Sequence, residues 1–295
     1  MKANKSGLTS NQTLGKIFII PLVAFLLVFM IYPVVYNVFL SFTDARLLKK
    51  DFNFVGLKNY KNIFSNPKFY QYAKNTLIWT ITSVIGQLVI GLGVALLINK
   101  KYAGTGLRSF LLIPYVVPAV VIALVTKWIT NGDYGIISCG LQNLGLLQHC
   151  QSPLAVPGSS MAILVIVNIW RSFPFPMLIY WATLKGINKE MYEAASVDGA
   201  NAVQSFFRIT VPHLKDTTIV LVVLRIVWTA TYFDLPWLIT GGGPAGTTTH
   251  LPIMIYQASF GTFQTGLASS ISVVLGFCLF IFIVFYVRKS LSDEG

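Results

Sequence analysis

The chain has 295 residues, of which 55% are hydrophobic and only 11% charged. A soluble domain draws about a quarter of its residues from Asp, Glu, Lys and Arg, and a disordered chain is poor in apolar residues, so both classes are excluded and a polytopic membrane protein remains. The formal net charge of +12 would point a soluble chain toward nucleic acid, but the basic residues lie mostly between apolar runs, where they set topology against anionic lipid, and no nucleic-acid partner is expected.

A helix needs about 20 apolar residues to cross roughly 30 Å of hydrocarbon. Residues 17–40, 76–98, 109–130, 161–184, 217–240 and 266–287 meet that length. The fold class read from them is an all-α polytopic membrane protein with six transmembrane helices over 17–287, a tail at 1–16 and another at 288–295. The first apolar run is too long for a signal peptide and no small-residue cleavage site follows it, so it is expected to stay as a helix. The loop after it carries Arg46, Lys49, Lys50, Lys58, Lys61, Lys68 and Lys74, whereas loops 131–160 and 241–265 carry no Lys or Arg. The opposite side collects Lys2, Lys5, Lys16, Lys100, Lys101, Arg108, Lys185, Lys189, Arg208, Lys215, Arg288 and Lys289. The balance places both termini in the cytoplasm, with the basic first loop in conflict.

In the second span Gly91 and Ala95 stand four residues apart, which permits close helix contact. Prolines 21, 33, 114, 118, 174, 176 and 236 fall inside spans. Each removes a backbone donor and kinks its helix, and the freed carbonyls need neighbours or a water-lined cavity. Cys139 and Cys150 share the 131–160 loop, as a disulfide or as two unlinked thiols, while Cys278 reads as packing in the last span. No cysteine or histidine spacing fits a metal site.

The most informative loop, 185–216, reads KGINKEMYEAASVDGANAVQSFFRITVPHLKD. Asn188 is placed to cap a helix, and Glu190 and Glu193 suit its N-terminal end. Gly199 is placed to end that helix in the left-handed conformation, Asn201 to cap a second helix carrying Phe206, Phe207 and Ile209, and Pro212 to break it before the fifth span. Glu193-Ala194-Ala195, then Asp198-Gly199-Ala200, Phe206-Phe207-Arg208-Ile209 and Pro212, resembles the EAA loop of permease subunits in ATP-binding-cassette importers. Val211 stands where a leucine is usual. Asp216 stands where a second proline is frequent, which leaves the exact start of the fifth span open.

Further stretches resemble carbohydrate-type, binding-protein-dependent permeases, related to the larger maltose-transporter permease without its extra domain. These are Phe54-Val55-Gly56-Leu57 with Asn59-Tyr60, Asn75-Thr76, Asn168-Ile169-Trp170-Arg171 with Pro174-Phe175, and Gly241-Gly242-Gly243-Pro244 with Thr247 to Thr249. The resemblance implies a type I importer permease fold, with the segment at Glu193 to Gly199 as a cytoplasmic coupling helix. It also implies a bacterial inner membrane location and four kinds of partner: a second permease, two ATPase subunits, an extracytoplasmic substrate-binding protein and membrane lipid. The chain would be no enzyme and hold no cofactor, ATP and Mg residing in the ATPases; it has no GxxxxGK[ST] loop. The coupling residues implied are Glu193, Ala194, Ala195, Asp198, Gly199, Ile209 and Pro212.

Charges inside spans are costly and mark pathways. Lys127, Arg171, Arg225 and Asp234 are such charges, and similar depths make an Arg171–Asp234 ion pair an expectation. Asn168, Trp170, Trp181, Trp228, Tyr232 and Trp237 complete the candidate pathway, with interfacial anchoring as the alternative for each aromatic. The substrate expected is a sugar or oligosaccharide, or alternatively an anionic one such as a uronate or glycerol phosphate. A self-sufficient secondary transporter is a competing class, although no inverted repeat is seen.

Overall fold

A computed structural model describes residues 19–99, 104–145 and 151–292. Lys2, Lys5, Lys16, Lys100, Lys101, Cys150 and the 1–16 tail lie outside the described residues. Among the described ones, extended pairing is limited to an isolated bridge between Thr43 and Phe54.

Among the described residues, three helices are long and apolar enough to cross a membrane unbroken: Ile19–Leu40, Pro67–Ile98 and Thr265–Lys289. Three pairs pass only together, each bent at a short break. Gly106–Val116 and Ala119–Ile129 meet at 86°, Ser159–Ser172 and Pro174–Gly186 at 42°, and Lys215–Ala230 and Asp234–Thr240 at 42°. Counting each pair as one span gives six, at the places hydropathy predicts.

At Pro118 and Pro174 the expected kinks are outright breaks. Val117 is extended, with ψ 130°, because the residue before a proline is driven out of the helical region; Pro118 follows with ψ 139°, and two extended residues turn the chain sharply. Pro174 opens its own helix at the first position, where no donor is needed. Pro236 sits in the first turn of Asp234–Thr240, and the break itself falls earlier, at Thr231 to Phe233.

Two other prolines act without breaking the chain. Pro33 and Pro212 cannot donate to the carbonyls four residues back, and their rings crowd those carbonyls. The preceding turn widens into a π-helix in both cases, Leu27–Ile31 and Phe206–Thr210, with Tyr32 N donating to Leu27 O and Val211 N to Phe206 O. The break expected at Pro212 therefore comes at Leu214, and the next helix starts at Lys215 with Asp216 in its first turn.

The chain divides into two compact units. The first comprises Met1–Ser65 and Ile255–Leu275. Its loop is pinned by the stretch Phe54 to Tyr60: Asn59 Nδ2 donates to Ser41 O (2.9 Å) and Thr43 O (2.7 Å), and Tyr60 Oη lies 2.7 Å from Ser41 Oγ. Asp44 accepts from the Asn53 backbone, which holds its carboxyl below the usual range. Along Leu27 to Leu40 no side chain is buried.

The second unit comprises Asn66–Met254 and Gly276–Gly295. Its central rod, Pro67–Ile98, has 32 residues, about 48 Å at 1.5 Å per residue. It begins nine residues before the apolar stretch, because Asn66 caps it by accepting from Lys68 N and Pro67 occupies the first position. The rod packs along Pro174–Gly186, Lys215–Ala230 and Ser159–Ser172. Ala95, Met177, Tyr180, Leu184, Ile209 and Leu221 belong to one buried core. Trp79, Ile122, Leu164, Leu235 and Ile239 belong to another. In the 131–160 loop Cys139 is disulfide-bonded. Cys278 is a free thiol exposed on the last helix, not packed as expected.

At Gly91 the rod lies close against Pro174–Gly186: a Cβ there would meet Met177 N at 3.0 Å and Pro176 Cβ at 3.1 Å. Gly91→Leu is expected to destabilise the second unit by about 1–3 kcal/mol through overpacking, seen as a lower thermal unfolding midpoint in detergent. An unchanged midpoint would show that this contact yields freely.

Candidate functional site

The three breaks supply one site. Tyr115 lies in the last turn of the helix before the first break; Asn168, Arg171 and Ser172 lie near the end of the helix before the second; Arg225, Trp228 and Thr229 lie on the helix before the third, and Tyr232 lies in that break. These eight side chains line one cavity of about 350 Å³. Arg225, Trp228 and Thr229 follow helical spacing i, i+3, i+4, so one face of that helix is given over to the cavity.

Arg225 is 5% exposed, and its Nε donates to Gln87 Oε1 of the central rod at 2.7 Å. Its guanidinium carbon lies 5.8 Å from the Trp228 ring, and that of Arg171 lies 5.2 Å from the Tyr232 ring. Asn168 Nδ2, Arg171 Nε, Thr229 Oγ1 and Tyr232 Oη are buried with no hydrogen-bond partner among the described residues. Buried polar atoms are normally paired, so four such atoms among the side chains around one void leave hydrogen-bonding capacity unspent beside it. No carboxylate lines it.

Behind Tyr232 the 241–250 loop is held by its own motifs. Asn75 Nδ2 donates to Gly246 O (3.1 Å) and Thr249 O (2.8 Å), and Thr76 Oγ1 accepts from Leu251 N (2.9 Å). The His250 ring nitrogen Nε2 stands 2.9 Å from Tyr232 O.

A second site lies between the helices Pro174–Gly186 and Lys215–Ala230. Asn188 caps Lys189–Val197 by accepting from Glu190 N at 3.1 Å. Gly199 has φ +79°, a conformation that glycine takes without a Cβ clash, and Ala200 N closes the turn on Ala195 O at 2.9 Å. Asn201 and Gln204 then form a reciprocal capping box. Tyr192 and Ala195 pack on the buried core, Tyr192 Oη also reaching Thr210 Oγ1 at 2.9 Å. Glu193, Ala194 and Asp198 are exposed, as are Val197 (89%), Val203 (64%) and Phe207 (63%). The result is a short lever with one face on the core and an apolar, weakly acidic face turned outward.

A family model for the inner membrane component of binding-protein-dependent transport systems matches residues 87–292. The chain belongs to that family. The trehalose/maltose transport system permease MalF of Thermococcus litoralis is 33% identical over 279 residues, covering 93% of this chain and 92% of the relative. The sulfoquinovosyl glycerol transport system permease SmoG of Agrobacterium fabrum is 32% identical, covering 90% and 86%. The multiple sugar-binding transport system permease MsmF of Streptococcus mutans is 29% identical, covering 96% and 97%. In structure, a bacterial ABC transporter that imports the acidic polysaccharide alginate contains a chain that matches with a TM-score of 0.84 over 96% of both chains, at 22% identity. The fold is thus that of an importer permease, and the chain is a membrane transport subunit, not an enzyme.

Of the pathway residues expected in this permease, Asn168, Arg171, Arg225, Trp228 and Tyr232 meet in the cavity. Trp170 and Asp234 do not. Trp170 is 46% exposed, and Asp234 is exposed at the start of its helix. The expected Arg171–Asp234 ion pair does not form. Arg171 lies in the last turn of its helix and Asp234 in the first turn of another, so each complements a helix dipole instead. Trp181 lies under Arg108 at 4.4 Å and near Lys185 at 5.8 Å, and Trp237 stacks on Phe233. Lys127 is exposed in a last turn. Tyr115, Ser172, Thr229 and Gln87 were missed. Ser172 and Thr229 each stand four residues after a named polar residue, a signal that was present in the sequence.

Burial pushes the His250 pKa down from 6.5, partly opposed by the carbonyls of Tyr232 and Thr248. An unfolded chain takes up this proton near pH 6.5 while the folded one resists it, so stability is full above that pH and falls as pH drops below it. Backbone amides of residues 241–256 are therefore expected to lose hydrogen-exchange protection between pH 7.5 and 5.5, beyond the intrinsic rate change. His250→Gln should remove most of that pH dependence.

Proposed function

We propose that this permease forms half of the pathway of an ATP-driven importer, accepting a sugar or oligosaccharide from an extracytoplasmic binding protein and releasing it to the cytoplasm of a bacterium. Relatives named for trehalose/maltose and for multiple sugars support a saccharide, and three aromatic rings beside unpaired polar atoms offer the faces and donors that a sugar needs. In this reading the chain crosses the inner membrane six times with both termini cytoplasmic. Its core domain is 17–287, and residues 185–216 are its coupling loop. A second permease completes the pathway, and two ATPase subunits hold the ATP and Mg.

The observation that carries the reading is the lever. Lys189–Val197 buries no residue fully, yet both its ends are fixed and two of its side chains are keyed into the core shared with the broken spans. A helix so exposed and so well anchored suits a docking element. Glu193 and Asp198 would face basic groups of an ATPase, and Ala194 would allow close approach. Ala195, Ile209 and Pro212 would transmit its displacement, and Gly199 would hold its turn. Substrate would pass Asn168, Arg171, Arg225, Trp228 and Tyr232, with Trp170 and Asp234 outside the cavity.

Open space surrounds Gly199, so a side chain there strains the turn without clashing with the core. Gly199→Asp is expected to insert normally while ATP-dependent uptake falls by about 5- to 150-fold, the range of typical coupling energies, with loss of the copurifying ATPase. Full uptake by that variant would overturn the docking reading. Uptake by this chain alone would replace the importer with a self-sufficient transporter.

A further inference from the structure

The charge inventory of the cavity is one-sided. Arg171 and Arg225 both line it, and Asp and Glu are absent from its eight lining residues. Within the described residues the fixed partners of these guanidiniums are neutral: the Gln87 amide for Arg225, and the faces of Tyr232 and Trp228. Arg171 Nε is left without an acceptor. A guanidinium in apolar surroundings is normally paired with a carboxylate or phosphate, and two in one small void raise the potential there further.

Resting on the permease reading above, we propose that the cavity recognises an acidic saccharide, a sugar carrying a carboxylate or another oxyanion. Its anionic group sits against Arg171 and Arg225. Its ring lies against Trp228 and Tyr232, and its hydroxyls meet Asn168 Nδ2, Thr229 Oγ1 and Tyr232 Oη. The volume of about 350 Å³ is at the small end of ligand pockets and suits one or two sugar rings. A neutral sugar would satisfy the hydroxyl partners equally well and leave both cations without a counter-charge. The guanidinium forks match an oxyanion in a way that a hydroxyl does not.

Trp228 lines the site and is 45% exposed, so its fluorescence reports occupancy. The assembled importer in nanodiscs is titrated with glucuronate and with glucose at equal ionic strength. The signal is the emission change absent from an otherwise identical Trp228→Phe assembly. Glucuronate is expected to give a saturable change at least about tenfold tighter than glucose, as charge-assisted hydrogen bonds imply. The preference should vanish in Arg171→Gln and return partly in Arg171→Lys. Equal binding of the two sugars, or a preference that survives Arg171→Gln, overturns the proposal while leaving a saccharide permease. No change with either sugar also overturns it. Failure of the permease reading shows separately, as an assembly without ATPase or without ATP-dependent uptake.

Discussion

The cavity depends on one constraint: a helix interrupted inside an apolar span must find partners for the backbone groups it frees. Three spans accept that penalty within one unit, and their interruptions converge. At the third break Thr229 O receives the Trp79 indole donor at 2.9 Å, which fixes the broken helix to the central rod. Tyr232 O faces His250 in the same region. The polar lining gathers where the spans break: Arg171 and Ser172 lie in the last turn before the second break, Thr229 in the last turn before the third, and Tyr232 within it.

The central rod makes these breaks compatible with a defined structure. Gly91 lets Pro174–Gly186 approach at backbone distance, and Gln87, one turn earlier, holds Arg225. The same rod contributes Ala95 and Ile98 to the core that seats Tyr192, Ala195 and Ile209 of the lever. Lever, rod and cavity therefore share a chain of packed side chains. A displacement that entered at residue 195 would reach the second break through Leu184, Tyr180 and Met177, which lie on the helix that begins there.

What was legible in the sequence followed from local rules. Hydropathy located the spans because their apolar runs are long, and the caps at Asn188 and Asn201 and the turn at Gly199 were readable because each rests on neighbours in sequence. Asn75-Thr76 and the Thr247 to Thr249 stretch each stand out in the sequence; that one binds the other is a contact across more than 170 positions that no local rule reveals. Bend angles were also illegible. Pro118 and Pro174 each break a span, yet one bend is 86° and the other 42°, because the angle depends on the conformation of the preceding residue, extended at Val117 and helical at Phe173. The Arg171–Asp234 pairing failed for the same reason. Depth along two straight helices placed them together, but Asp234 opens a new helix after the break at Thr231 to Phe233 and is exposed there.

The breaks also explain how two arginines are accommodated without a carboxylate. Each α-helix carries the equivalent of about half a negative charge at its C-terminal end, where carbonyls lack partners. The helices Thr105–Val116, Ser159–Ser172 and Lys215–Ala230 all bring their C-terminal ends to the cavity. Arg171 lies in such a last turn, and Arg225 five residues before another. Helix-end partial charges stabilise a cation, but they are spread over carbonyls that point along the helix axis and cannot replace an acceptor set in the plane of a guanidinium fork. The broken spans thus favour the Arg171 cation at a helix end, while Arg225, more than a turn from its own helix end, is held by Gln87. A straight helix, with every carbonyl committed four residues on, would offer no such half-neutralised environment.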